Sequence, residues 1–236
     1  MFKQVFELFK SDSLYKQALE ECHEMLDIDC EMFNESIKSL RESNTADIPI
    51  DIYAMDQKIN AFERDVRRKI MTHLAISGRE DLGSGLVMVS VVIDIERVGD
   101  YTKNIFDLAR RHPKRLNAGS LEAQLKALEE HTSEVFHNTI EAFKNSDEDL
   151  ARRVMDDYKE DISADSEKMT DDIIGGEVSD LKSPEASAVV LYSRFLKRIG
   201  SHSRNIATSI VNPFHRIGYN EKTDKSPETD IIPPEE

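Results

Sequence analysis

Two carboxylates one helical turn apart, Glu96 and Asp100, carry the clearest chemistry in this sequence. At positions i and i+4 of a helix their Cβ atoms lie about 5–6 Å apart, close enough to grip one hard cation together or to bridge two. Ligands that are all oxygen favour magnesium, manganese, calcium or iron over copper or a structural zinc. Without a cation the pair repels by only about 0.2–0.5 kcal/mol at an exposed site. A bland alternative therefore stands beside the metal reading: Glu96 paired with a neighbouring base and Asp100 solvated.

The other constellations are weaker. Glu20/His23 and Glu134/His137 have the Glu-x-x-His spacing of di-metal bundles, a chemistry that needs both side chains in the core. Both pairs fall beside the apolar faces marked by Cys22, Met25, Val135 and Thr139, so that reading is rejected. Asp157, Asp161 and Asp165 step by four and read as a solvated acidic ladder. His202 reads as a polar core residue, and Ser201 beside it points elsewhere on a helix, so the two make no nucleophile–base pair. GREDLGSGL has neither the Lys-Ser/Thr of a P-loop nor the spacing of a dinucleotide turn. No catalytic constellation emerges, and the chain is not read as an enzyme.

Long helices must position these residues. Pro49, Gly78/Gly83/Gly85, Pro113/Gly119, Gly175/Gly176 with Pro184, and Pro213 punctuate six periodic segments of roughly 22 to 32 residues. The first, Asp12 to Glu42, sets Leu14, Ala18, Cys22, Met25, Met32, Ile37 and Leu40 near one face. In the second, Ile52, Met55, Ile59, Phe62, Val66, Ile70 and Leu74 step by three or four. The third is ambiguous, because GLVMVSVVIDI is nearly continuous and β-branched. Its continuation through Val98, Ile105 and Leu108 to a cationic last turn favours a helix in the middle of its bundle. Gly99 inside it costs about 1 kcal/mol relative to Ala, which predicts a packing reason. The fourth runs through Leu121, Leu125, Leu128, Val135 and Phe143, the fifth starts near Asp147, and the sixth, from Ser183, is read from Leu191, Phe195, Ile199, Ile206 and Ile210.

The chain of 236 residues is long enough for a real core, and 46 acidic against 31 basic residues give a net charge of −15. The stretch from Tyr219 to Glu236 holds six acids and two bases, so the acidity extends well beyond the tail. That charge repels phosphate backbones and argues against nucleic acid as a partner. Few Gly and Pro and no Trp favour helices. Cys22 and Cys30, about 12 Å apart along one helix, cannot pair with each other. No apolar run approaches the roughly 20 residues of a membrane span, and the N-terminus lacks a signal-peptide pattern. These features predict a soluble, cytoplasmic protein.

The third and sixth segments also repeat. IERVGDYTKNIFDL (Ile95 to Leu108) aligns without a gap on LKRIGSHSRNIATS (Leu196 to Ser209), pairing Arg97/Arg198, Gly99/Gly200, Asn104/Asn205 and Ile105/Ile206. The expectation is an all-α fold of two tandem three-helix bundles. Residues 1–11 form an apolar N-terminal segment with Phe2, Val5, Phe6 and Phe9 as its stripe, 12–112 the first bundle, 113–119 a linker, 120–212 the second bundle, and 213–236 a disordered acidic tail.

At these residues the chain resembles the PhoU family, cytoplasmic regulators associated with bacterial phosphate uptake. Asp94 through Ile105 is similar to that family's ERIGDxxxNI helix, and Asp56-Gln-Lys-Ile59-Asn60 to its D-x-x-I-D stretch on the preceding helix. The resemblance implies six long helices, a homodimer, and a metal site made by Glu96 and Asp100 with Asp56 and Asn60. The ion implied is divalent or trivalent: iron, manganese, magnesium or zinc. It further implies contact with a membrane phosphate transporter, a sensor kinase, or both, from the cytoplasmic side of the inner membrane and without insertion. Lys197 and Ser201 stand where the second repeat would carry its carboxylates, and Asn60 where the family often has Asp. Those departures keep an alternative open, a metal-free helical adaptor of a sodium–phosphate cotransporter.

Overall fold

The computed structural model describes residues 14–77, 80–112 and 114–221. The N-terminal stripe of Phe2, Val5, Phe6 and Phe9 lies outside them. Helices α1 (Leu14–Arg41), α2 (Ile52–Ser77) and α3 (Leu82–Arg111) pack on one another, as do α4 (Glu122–Asn145), α5 (Glu148–Asp157), α6 (Ala164–Ile174) and α7 (Ser183–Val211). A π-helical turn, Tyr158–Ser163, joins α5 to α6, so the expected fifth segment is one rod with an irregular middle. The described residues thus form six long helical rods.

Local chemistry sets the breaks. Asp51 Oδ1 accepts the Ala54 amide (3.0 Å) at the start of α2. After α4, Ser146 takes a left-handed conformation (φ 53°), and Asp147 then caps α5 by accepting the Leu150 amide at 3.0 Å. Pro184 sits in the first turn of α7, where its missing N–H costs nothing.

Helix α3 settles the ambiguity of GLVMVSVVIDI. It packs against α1, α2 and α7 together, so Val87, Val91, Val92, Ile95 and Val98 are all buried. An element enclosed on three sides loses the amphipathic signal that separates helix from strand. The α3–α7 contact also joins the two repeats. There Asp94 accepts His202 Nδ1 (2.7 Å) and Asn205 Nδ2 (3.0 Å), while Tyr101 stacks on His202 with ring centroids 5.7 Å apart. Elsewhere between the repeats, Phe33 of α1 meets Phe136 of α4 edge to face at 5.6 Å.

Two expectations change. The buried stripe of α7 runs through Ala188, Val189, Tyr192, Leu196 and Ile199, leaving Leu191 47% exposed, because α7 must serve α3 and its own bundle at once. The free tail does not begin at Pro213. Arg204 donates to the Gly218 carbonyl (2.7 Å), Asn212 Nδ2 to the Tyr219 carbonyl (2.8 Å), and Arg152 pairs with Glu221 (2.7 Å), folding residues through 221 back onto the bundle. Residues 222–236 lie outside the described part. Before α4, Leu116 and Ala118 are buried and the Leu116 amide is bonded to Leu40 O at 2.8 Å.

Candidate functional site

Asp56 and Asn60 lie one turn apart on α2, and Glu96 and Asp100 one turn apart on the neighbouring α3. All four are half-buried. Sequence reasoning passed over the residue that joins them, Lys103. Its Nζ donates to Asp56 Oδ1 (2.6 Å) and Asp100 Oδ1 (3.0 Å), placing a positive charge between the two helices. Arg97 adds a second cation, 3.2 Å from Asp100 Oδ2 and 3.6 Å from Glu96 Oε2. Asn60 turns its amide back to Asp56, donating to the backbone carbonyl (3.0 Å) and Oδ2 (3.4 Å). Glu96 is thus paired with a neighbouring base, as the bland alternative has it, while Asp100 is bonded by two bases rather than solvated.

A second residue also escaped the sequence reading. Asp29 of α1 is fully buried and neither of its oxygens has a hydrogen-bond partner. Burial pushes its carboxyl well above the usual range, and the nearby charges of Glu96, Asp56 and Asp100 push the same way. The signal was its register, four residues after Met25 and three before Met32 on the apolar face of α1. Glu96 is raised too, first by burial and then by Asp100, with Arg97 opposing. The site is thus an acidic cluster with more negative charge than its two bases neutralise comfortably.

The sign of the Asp29 shift fixes a pH dependence. Its folded pKa lies above the unfolded value of about 3.9, so above that pH the unfolded chain releases a proton that the folded one keeps. Stability falls as pH rises through that window, by up to about 1.4 kcal/mol per pH unit. Urea denaturation of chelator-treated protein across mildly acidic to neutral pH should show this slope in the wild type and its loss in Asp29→Asn.

The charge of this cluster suits a cation. An ammonium already occupies a place between Asp56 and Asp100, and Asp29 offers two orphaned oxygens nearby. Among the described residues, however, no three His, Cys, Asp or Glu side chains gather as a set able to hold one metal ion. As folded, Lys103 takes the cation's role.

In the second repeat Ile162 Cδ1 approaches within 3.1 Å of the Cβ position of Gly200, as Ile59 Cδ1 does at Gly99. Counted from these isoleucines, Lys159 and Ser163 stand where the first repeat has Asp56 and Asn60, and Lys197 and Ser201 replace Glu96 and Asp100. Lys197 pairs instead with Glu167 of α6. The acidic ladder of Asp157, Asp161 and Asp165 is half-buried rather than fully solvated.

A model of the PhoU domain matches this chain twice, over residues 22–109 and 125–210. The chain belongs to the PhoU family. Among relatives of this PhoU-family chain, a Xylella fastidiosa protein named "Phosphate-specific transport system accessory protein PhoU homolog" is 27% identical over 161 residues, 66% of each chain. A Pseudomonas putida protein of the same name is 25% identical over 186 residues, 75% of this chain and 70% of that one. In fold, the chain superposes on crystallised PhoU from Pseudomonas aeruginosa with a TM-score of 0.74 at 20% identity, covering 84% of this chain and 95% of that one. The phosphate transport system regulatory protein PhoU from Streptococcus pneumoniae gives 0.72 at 17%, covering 84% and 93%. The all-α, six-rod architecture is the one these structures share.

Proposed function

We propose that this chain is a cytoplasmic regulator of phosphate transport or phosphate signalling that acts by protein–protein contact and not as an enzyme. The observation that carries the reading is the double PhoU-domain match, together with relatives named as accessory proteins of a phosphate-specific transport system. Its partners are a membrane phosphate transporter, a sensor kinase, or both, met by a homodimer. Contact from the water side fits a chain in which no helix among the described residues is long and apolar enough to cross a membrane.

Glu96, Asp100, Asp56 and Asn60 hold a divalent or trivalent metal ion in this reading, in place of the Lys103 ammonium. When bound, the ion supplies a concentrated positive charge that neutralises the carboxylates of α2 and α3. Lys103 itself favours a second reading, the metal-free adaptor of a sodium–phosphate cotransporter, since it balances Asp56 and Asp100 without any ion.

Metal content after incubation with manganese or iron separates the two. The first reading expects about one or more ions per chain by mass spectrometry, lost in Glu96→Ala and Asp100→Ala. Removing the competing ammonium in Lys103→Met should then tighten binding by about tenfold, worth about 1.4 kcal/mol. No ion in any of these proteins would leave only the adaptor. Co-purification with a sensor kinase or binding-cassette transporter, rather than a sodium-coupled carrier, tests the partner independently.

A further inference from the structure

The chain's two cysteines sit in opposite environments. Cys22 is fully buried in the core, with its Sγ 3.6 Å from Met88 Sδ. Burial pushes its thiol far up, which makes it inert. Cys30, two turns on, is half-buried, and both thiols are free.

The surroundings of Cys30 come from two helices. Its Sγ lies 3.4 Å from Nε2 of His137, an exposed residue of α4. The other ring nitrogen, Nδ1, is 2.7 Å from the Ser133 carbonyl oxygen. A carbonyl can only accept, so Nδ1 carries a proton and Nε2 is the ring nitrogen that faces the thiol. Asn34 Nδ2 donates to the same sulfur at 3.7 Å, a second group able to steady negative charge there. This is a nucleophile against an imidazole whose far nitrogen is held by a third group.

We propose that Cys30 is a nucleophilic thiol activated by His137, and a modification site for small electrophiles and peroxides. The contact favours the charged form of the ring, which sets a positive charge beside the sulfur. The bond to Cys30, helped by the Ser133 carbonyl and opposed by partial burial, raises His137 to about 9. With an alkyl halide, an S–C bond forms, halide leaves, and the thiol proton is released to solvent. With hydrogen peroxide, Sγ bonds one oxygen, the O–O bond breaks, and the departing hydroxide takes the thiol proton as water, leaving a sulfenic acid. A second, low-molecular-weight thiol converts this to a mixed disulfide with loss of another water. Added bulk at Sγ separates Cys30 from His137, beside the Lys144–Asp27 ion pair that also ties α4 to α1. The repeat-to-repeat seam is therefore the structure that such a modification loosens.

The test is the alkylation rate of the full chain by iodoacetamide at about pH 6.5, mapped by peptide mass spectrometry with glutathione as the reference thiol. Cys30 should react about tenfold or more faster than glutathione, and His137→Gln should bring it down to the reference rate. Dilute hydrogen peroxide followed by dimedone should label Cys30 in the wild type and much less in the variant. Cys22 monitors folding in the same experiment, since it stays unlabelled unless the chain opens. A Cys30 that reacts no faster than glutathione, or equally in wild type and a His137→Gln variant with protected Cys22, overturns the proposal. So does labelling of Cys22 ahead of Cys30.

Discussion

Arg41→Met should destabilise the chain by about 3–5 kcal/mol, the cost of breaking a buried pair and stranding its partner. The Arg41 side chain is only 9% exposed at the end of α1, and its Nε donates to Glu129 Oε1 at 2.6 Å. The same guanidinium pairs with Glu122 and donates to the Leu116 carbonyl, so it joins α1, the connecting stretch and α4. Glu129, 13% exposed, is pushed up by burial and held down chiefly by Arg41. Without the guanidinium Glu129 is a buried acid with no opposite charge beside it, left to the Tyr192 hydroxyl, and Glu122 keeps only the Ala118 amide (2.7 Å) among these bonds. Urea denaturation reads the loss directly, and Glu129→Gln in the Arg41→Met background should recover part of it. A loss below about 1 kcal/mol would place Arg41 with ordinary surface pairs.

Much of this framework is visible in the spacing of residues, and the exceptions have physical causes. The stripe of α4, Leu121 through Phe143, is buried as its period predicts, because α4 offers one main face to its neighbours. On α7 the period pointed to Leu191, but a helix shared between two bundles needs a broader buried arc, and the true stripe runs through Tyr192 and Leu196. The π-helical turn at Tyr158–Ser163 has no signature in composition. It is set by tertiary packing, where Tyr158 and Ile162 close on Gly200. At the candidate site the motif carboxylates were legible by type and spacing. Lys103 was not, since a lysine one turn from an aspartate on a helix is commonplace, and its reach to Asp56 exists only once α2 and α3 are side by side. Asp29 could have been found, because an acid in an apolar register is an anomaly in its own right. Cys30 and His137 are 107 residues apart, and no local pattern connects them.

Gly99→Ala should cost about 1–3 kcal/mol, although Ala is the better helix former. In an open helix interior the substitution gains about 1 kcal/mol, so the sign depends on what the new methyl group meets. At Gly99 it would stand 2.6 Å from Asp29 Oδ1 and 3.1 Å from Ile59 Cδ1, with Asp29 enclosed on every side and unable to swing out to water. Gly200→Ala should be destabilising as well, because its methyl group would meet Tyr158 Cδ2 at 3.0 Å and Ile162 at 3.1 Å. Gly83, in the first turn of α3, has nothing within 4 Å and serves as the control, where Ala should be neutral or mildly stabilising. The cause at Gly99 can be isolated by shortening its neighbour. If the collision with the carboxylate is the cost, Asp29→Ala combined with Gly99→Ala should be more stable than the sum of the two single changes predicts, by about 0.5–3 kcal/mol. Additive losses would instead assign the cost to Ile59 and the α2 contact. In either case the motif glycine acts by letting helices approach, a role separable from the charge balance that Lys103 supplies one turn further along α3.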